Sequence, residues 1–450
     1  MKNWFYKRQS EANVLWNGKY YCPILLAVAA IGLALHLNMA MMFLFLAVCI
    51  YFLVFSDDLM SIVMPLYLIF LMASTYFKDM TVLLKYAPFA IAPFALAIVF
   101  NLICYRKPFV KGIMLWPLTA VSVALIIGGA GVIPWSEYLL PINFYYVLGL
   151  GAFMIFIYCL ALSRLQNKRE YDRVERLCRI LCYVGVAAVF TVMVFGFDHL
   201  QEILKNRTLL FYKPRNFISS VLLMSMPAAC YYTIRNKWNV FCILFMYGGM
   251  LLTGSRSGLL FGTVLLCACI LYVFTRRQSF GKRINLVFLG ILVIIGAFFV
   301  RYIPDLYAAR FANGGLISTD ETRVKFIVLG IQDFLSHPIL GIGLSNQKNI
   351  GIFPGFFPGC LVYYHNIVIQ VSASMGIVGV AAFGWQFIER IKLAVKTRKT
   401  DFFAFALSYI GIVMMSLTNP GVLCPFPETA LLVLMFAMME HHLKSEREQR

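Results

Sequence analysis

Long apolar runs, broken by short polar or basic stretches, recur along the whole chain. A helix needs about 20 predominantly apolar residues to cross a bilayer. Runs approaching or exceeding that length fall at 21–37, 39–55, 59–77, 82–104, 113–132, 140–162 and 177–197. Seven more follow, at 217–234, 240–252, 259–274, 284–303, 361–387, 402–417 and 429–439. The pattern predicts fourteen crossings, or twelve where the short runs fail to span. In lipid only helices and closed barrels satisfy their own backbone groups. The expected fold is therefore all-α: a polytopic transmembrane bundle of 12–14 helices, forming one membrane domain over 1–450.

Composition agrees with this. The chain is 61% hydrophobic and 13% charged, where a soluble domain is about one quarter charged. Most of its 39 lysines and arginines lie in alternate loops: the N-terminus, 105–111, 164–179, 235–237, 276–283, 390–399 and the C-terminus. The positive-inside rule assigns those loops, and with them both termini, to the cytoplasm. The net charge of +19 is then a topology signal and implies no nucleic-acid partner. No small-residue cleavage site follows the first run, which is expected to be a signal anchor. The opposite side carries two long loops, 198–216 and 304–360. The second is the largest non-membrane piece of the chain and is expected to bear an interfacial helix. Twelve cysteines are scattered without metal-ligand spacing, as small buried hydrophobes are. Cys360 and Cys424 fall in outer loops, where an oxidising compartment would let them pair.

Several cations stand on the outer side against the charge rule, among them Arg215, Arg256 and Arg323. In "LLTGSRSGLL", Arg256 occupies a tight turn between two apolar runs. Gly254 and Gly258 permit close backbone approach, and Ser255 and Ser257 add hydroxyls. Such a turn is either a small anion cradle or a helix hairpin whose arginine snorkels to the headgroups. In "STDETRVKFIVLGIQDFLSHPILGIGLSN", Ser318 and Glu321 have capping-box spacing. Val324, Ile327, Val328, Ile331 and Leu335 share one helical face, and the helix should end before Pro338. Arg323, near the start, suits an anion held at a helix N-terminus, or pairs locally with Glu321. "YKPRNFISS" puts Arg215 and Asn216 at the outer end of another helix. His365 and Asn366 stand where the large loop re-enters the membrane. A histidine there is an available proton acceptor.

Taken in order, these stretches resemble the O-antigen ligase and O-antigen polymerase superfamily of bacterial envelopes. The shared pattern is the G-S-R-S-G turn at Gly254–Gly258, the E-T-R of Glu321–Arg323, the "HPILGIGLSN" of His337–Asn346, and the His-Asn pair leading a glycine-bearing helix at His365–Gly379. Motif similarity runs from about Arg215 to Gly379. An Asn-Pro-Asn-like stretch usual in the family is replaced here by "KPRN". The resemblance implies a glycosyltransferase on the periplasmic face of the bacterial inner membrane, fed by an undecaprenyl-diphosphate-linked glycan. In the ligase branch the acceptor is the lipid A core; in the polymerase branch it is another lipid-linked repeat. By motif match His365, Arg323 and Arg256 correspond to the family's essential residues. Arg256 and Arg323 are expected to grip the diphosphate, with Arg215, Asn366, Ser255 and Ser257 as further substrate contacts. His365 is expected to deprotonate the acceptor hydroxyl. No cofactor or metal is expected. The ligase branch is the first expectation and the polymerase branch the alternative. A lipid-linked glycan flippase is a third, disfavoured because the helix centres are nearly free of charge.

Overall fold

The structure is a computed structural model that describes residues 2–76, 80–131, 144, 146–165, 170–202, 214–276, 290, 317–344, 364–419 and 421–449. The predicted run at 284–303 lies almost wholly outside these residues, as does most of the loop 304–360. Among the described residues the regular structure is entirely helical. Eight helices are long and apolar enough to cross a membrane, and a bent pair forms a ninth if it counts as one span. That pair is α1 (Lys2–Asn17) and α2 (Tyr21–Ala34), bent by 76°. Three shorter apolar helices, Leu115–Gly129, Val240–Thr253 and Phe403–Ser416, complete the apolar set.

The following helices are α3 (Asn38–Phe55), α4 (Val63–Ala73), α5 (Met80–Cys104), α6 (Leu115–Ala124), α7 (Phe153–Leu165) and α8 (Glu170–Asp198). After them come α9 (Arg215–Arg235), α10 (Val240–Thr253), α11 (Arg256–Arg276), α12 (Ile317–Ser336), α13 (Ile367–Thr397), α14 (Phe403–Ser416) and α15 (Ala430–Gln449). Most coincide with predicted runs. Basic stretches assigned to loops prove helical: α8 begins at Glu170, and α13 continues past Arg390 to Thr397. Arg390 is buried there, its guanidinium over the rings of Tyr409 and Phe436.

Helix α9 is the axis of the bundle. It packs against α8, α10, α11 and α14. Its small residues, Ser219, Ser220, Ala228 and Ala229, are buried and let neighbouring backbones approach closely. Helix α14 runs antiparallel to it. The Arg235 guanidinium meets Asp401 at 3.3 Å at one end, and the Ser408 hydroxyl donates to the Met224 carbonyl at 2.7 Å midway. The start of α9 and the end of α14 therefore share the opposite end of the bundle, which carries the candidate site.

The glycines of α13 do not simply permit close helix packing. Gly376 has φ of 61° and breaks the helix. The "HPILGIGL" stretch docks into the break. Ile377 and Val378 N–H donate to the carbonyls of Pro338 and Ile339, at 2.8 and 3.3 Å. Ile342 and Gly343 N–H donate to the carbonyls of Ala373 and Ser374, at 2.9 and 3.0 Å. Two i→i−4 bonds are thus opened and four bonds to the inserted segment replace them. This obeys the rule that irregular backbone at membrane depth is tolerated only where protein satisfies it. The insertion also reaches α6, whose π-helical end is Leu125–Gly129; Leu344 N–H donates to the Gly129 carbonyl at 2.9 Å. Gly341 and Gly343 have φ of 70° and 94°, which only glycine adopts at little cost.

Candidate functional site

The Gly-Ser-Arg-Ser-Gly turn is tighter than the sequence suggests, because only Gly254 and Ser255 separate two helices. Gly254, in the left-handed region with φ of 65°, ends α10, as C-terminal glycines do. Ser255 starts α11: its hydroxyl oxygen accepts from Gly258 N–H at 3.1 Å. The same hydroxyl donates to the Asn216 side-chain oxygen at 3.0 Å. Ser219 and Thr253 hydroxyls share a hydrogen bond of 3.3 Å, and a Cβ on Gly258 would collide with Ser219. The turn is thereby fixed against the start of α9. Arg256, the first residue of α11, and Arg215, the first of α9, are both half-buried, and each adjoins a residue of the Ser255–Asn216 hydrogen bond. Ser257 is buried.

Helix α12 ends at Ser336, before Pro338 as expected. It begins at Ile317, so Arg323 stands in its second turn rather than its first. The capping-box side chains of Ser318 and Glu321 lie outside the described side chains. The predicted apolar face points away from the protein: Val324 is 60% exposed and Leu335 68%. That suits a helix whose outer face meets lipid. The opposite face packs on α13. There Phe326 is 1% exposed, and Asp333 accepts from the Tyr364 hydroxyl at 2.6 Å.

His365 stands between the two helices. Phe326 meets its ring edge-on, with centroids 5.6 Å apart. Its backbone φ is 57°, a conformation that costs a non-glycine residue about 1–2 kcal/mol. Its neighbours hold it there. The Asn366 side-chain oxygen caps α13 by accepting from Val368 and Ile369 N–H, at 2.9 and 3.2 Å. The Asn366 amide donates to the Leu417 carbonyl at 3.1 Å, tying this corner to the end of α14. Tyr364 N–H donates to Gln370, which is fully buried and donates to Ser374. Nδ1 of His365 is buried and finds no hydrogen-bond partner among the described residues. Burial, and then the charge of Arg323, lower the imidazole pKa to about 4. The ring is neutral at physiological pH and within electrostatic reach of Arg323.

The structure thus joins the predicted residues in two groups at one end of the bundle. His365 and Arg323 form the first, across α12 and α13. Arg256, Arg215 and Ser255 form the second, across α9 and α11. Asn366 links the first to the end of α14, which runs along α9. Asn366 and Ser255 spend their side chains on helix caps. Sequence reasoning passed over Phe326, Asp333, Tyr364 and Gln370, which hold His365 in place. Phe326 and Asp333 lie inside the quoted α12 motif, on the face opposite the apolar stripe, where an aromatic and a carboxylate at i and i+7 were a usable signal. Cys424 is a free thiol whose sulfur lies 3.1 Å from the Phe426 carbonyl. Cys360, the other half of the expected pair, lies outside the described residues.

These features define a class: an all-α, multi-pass membrane protein with a cationic, histidine-bearing site at one end of its bundle. Residues 241–384 match the family model Wzy_C, described as O-antigen ligase. The matched stretch is under half of the chain, and over that stretch the chain is similar to the O-antigen ligase family. The match spans the turn at Arg256, Arg323, the inserted "HPILGIGL" segment and His365, and excludes Arg215. No curated protein matches the chain.

Proposed function

We propose that the protein is a membrane glycosyltransferase of the O-antigen ligase type. It moves a glycan from an undecaprenyl-diphosphate carrier to an acceptor hydroxyl of the lipid A core, on the periplasmic face of the inner membrane. The observation that carries this is the setting of His365: strained, packed on Phe326, kept neutral, and beside Arg323. A neutral imidazole next to a fixed cation suits a reaction in which a hydroxyl loses a proton while an anion leaves.

In this mechanism the acceptor oxygen attacks the anomeric carbon of the donor sugar. The bond to the diphosphate breaks, and the acceptor proton passes to His365. General-base assistance of this kind contributes roughly 10²–10⁴-fold. Arg323 and Arg256 bind the diphosphate and stabilise the charge that grows on it, as guanidinium forks match phosphate oxygens. Arg215 and Ser257 extend that contact, while Asn366 and Ser255 hold the two arginine-bearing corners rigid through their caps. A base with a pKa of about 4 is weak before donor binds. A bound diphosphate offsets the Arg323 charge, removes one cause of the lowering, and strengthens the base when it is needed. The test is reconstitution: purified protein, a polyprenyl-diphosphate glycan and lipid A core. Transfer of glycan to the core in one step supports the proposal. Growth of the lipid-linked glycan with no core product assigns the polymerase branch instead.

A further inference from the structure

We propose that the opposite end of the bundle binds an anionic phospholipid, its acyl chain in an apolar groove and its phosphate at Arg164. This inference does not rest on the transferase reading, since the groove and Arg164 lie away from His365.

The groove is a cavity of about 420 Å³ enclosed by α3, α4, α5, α7 and α15. Phe70, Phe94, Ile98, Phe156 and Leu434 are among its walls. Pockets that hold small molecules are roughly 300–1,000 Å³. Among the described lining residues only Tyr67 and Asn101 have a polar side-chain atom. Both are engaged: the Tyr67 hydroxyl lies 3.8 Å from the Met224 sulfur, and the Asn101 amide donates to the Leu53 and Ser56 carbonyls at 2.6 and 2.9 Å. The groove offers water and polar solutes nothing, which leaves a hydrocarbon chain as its occupant. Helix α5 forms a loose wall: it carries Pro88 and Pro93 in its interior, and its spanning stretch is only 11% buried.

Leu59 and Leu434 line both this groove and a small cavity of about 20 Å³, bordered by Asp58, Met60, Arg164 and Arg173. Arg164 is 5% exposed. Its Nη2 donates to the Asn101 side-chain oxygen at 3.1 Å and to the Asn101 carbonyl at 3.3 Å. Its Nε and Nη1 are buried and have no hydrogen-bond partner among the described residues. A desolvated guanidinium with unused donors is unfavourable until an acceptor reaches them. Of the acidic groups nearby, Asp57 lies within electrostatic reach of Arg164 without hydrogen-bonding its Nε or Nη1. Asp58 accepts from Met60 N–H at 3.1 Å, and Asp57 lies 3.6 Å from Lys107. The two unused donors of Arg164 thus remain for an acceptor at the mouth. A cavity of 20 Å³ holds about one water or one phosphate oxygen, so the phosphate rests at the mouth with one oxygen inserted. The chain then extends along the groove beyond Asn101, and only a molecule with both parts satisfies both features.

The experiment uses delipidated full-length protein in detergent. Native mass spectrometry compares retention of phosphatidylglycerol with that of phosphatidylcholine carrying the same acyl chains, and thermal unfolding is followed with each lipid and with inorganic phosphate. Wild type should retain phosphatidylglycerol about tenfold better, and inorganic phosphate should not stabilise it. Arg164→Gln should abolish the headgroup preference, Arg164→Lys should keep part of it, and Ala95→Trp, which fills the groove, should reduce retention of both lipids. Equal retention of the two lipids by wild type overturns the proposal, as does a stabilisation by inorganic phosphate equal to that by lipid. Should Arg164→Gln fail to fold, unchanged lipid retention by Ala95→Trp overturns it equally.

Discussion

At the scale of single residues, His365 and Arg323 make separable predictions. His365→Ala removes the proton acceptor and leaves the arginines, so turnover should fall by roughly 10²–10⁴-fold while donor binding survives. A titration of donor against the variant, alongside its rate, checks this; full turnover in His365→Ala would remove it from the mechanism. The lowered pKa of His365 makes a second prediction. A protonated imidazole cannot accept a proton, so activity falls as pH drops through its pKa. In kcat/KM, which reports the free enzyme, the acid limb should lie near pH 4. In kcat, with donor charge beside Arg323, it should lie higher. Arg323→Gln should raise the limb in kcat/KM and weaken donor binding, whereas Arg323→Lys should hold the limb but restore binding only partly, for want of a bidentate fork. Linkage has a matching sign. The folded pKa is about 4, below the ordinary histidine value of about 6.5. The stability tied to the neutral ring is present above pH 6.5 and is lost as pH falls from there toward 4. Melting temperatures across that window should fall more steeply for wild type than for His365→Phe.

At the scale of elements, the break in α13 is the feature to disturb. A Cβ on Gly376 would strike the Ile339 backbone, and one on Gly341 would strike Ser374 and Met375. Gly376→Ala and Gly341→Ala should each destabilise by about 1–3 kcal/mol, the usual cost of overpacking, with added strain from the positive φ. Gly384→Ala, with open space around it, is the control and should be near neutral. The same element shows where sequence was legible and where it was not. Hydropathy located α3, α9, α11 and α14 within a few residues, because spanning lipid demands length and apolar composition and little else. The stop of α12 was legible from Pro338 for an equally local reason. The splice of Pro338–Leu344 into α13 was not legible. It depends on two segments some 35 residues apart meeting backbone to backbone, which no local pattern encodes. His365 and Arg323 stood out as polar residues at an apolar lip. Of the residues that hold His365, Phe326 and Asp333 left a signal on the inner face of α12, whereas Gln370 has a type and position common in any membrane helix.

At the scale of the whole molecule, the bundle has two chemically different ends. One carries Arg215, Arg256, Arg323 and His365; the other carries Arg235 with Asp401, and Arg164 with Asn101. The charge pattern predicts that a membrane-impermeant maleimide reaches a cysteine placed at His337 in intact cells, but reaches one at Arg398 only after the inner membrane is opened. Labelling in the reverse order would invert the topology and with it the side of the reaction. On the proposed mechanism a metal chelator should leave turnover of the purified protein unchanged, because the arginines would offset the negative charge of the diphosphate. The splice in α13 has a consequence for biogenesis. The segment Pro338–Leu344 leaves the ribosome before α13 does, yet its backbone partners, Ala373, Ser374, Ile377 and Val378, lie in α13 itself. Helix α13 must therefore enter the bilayer beside a segment already waiting there, or enter unbroken and open afterwards. Either way, the break at Gly376 is closed by backbone bonds only once both segments are in place. A nascent chain therefore cannot form the splice until α13 has been made as far as Val378.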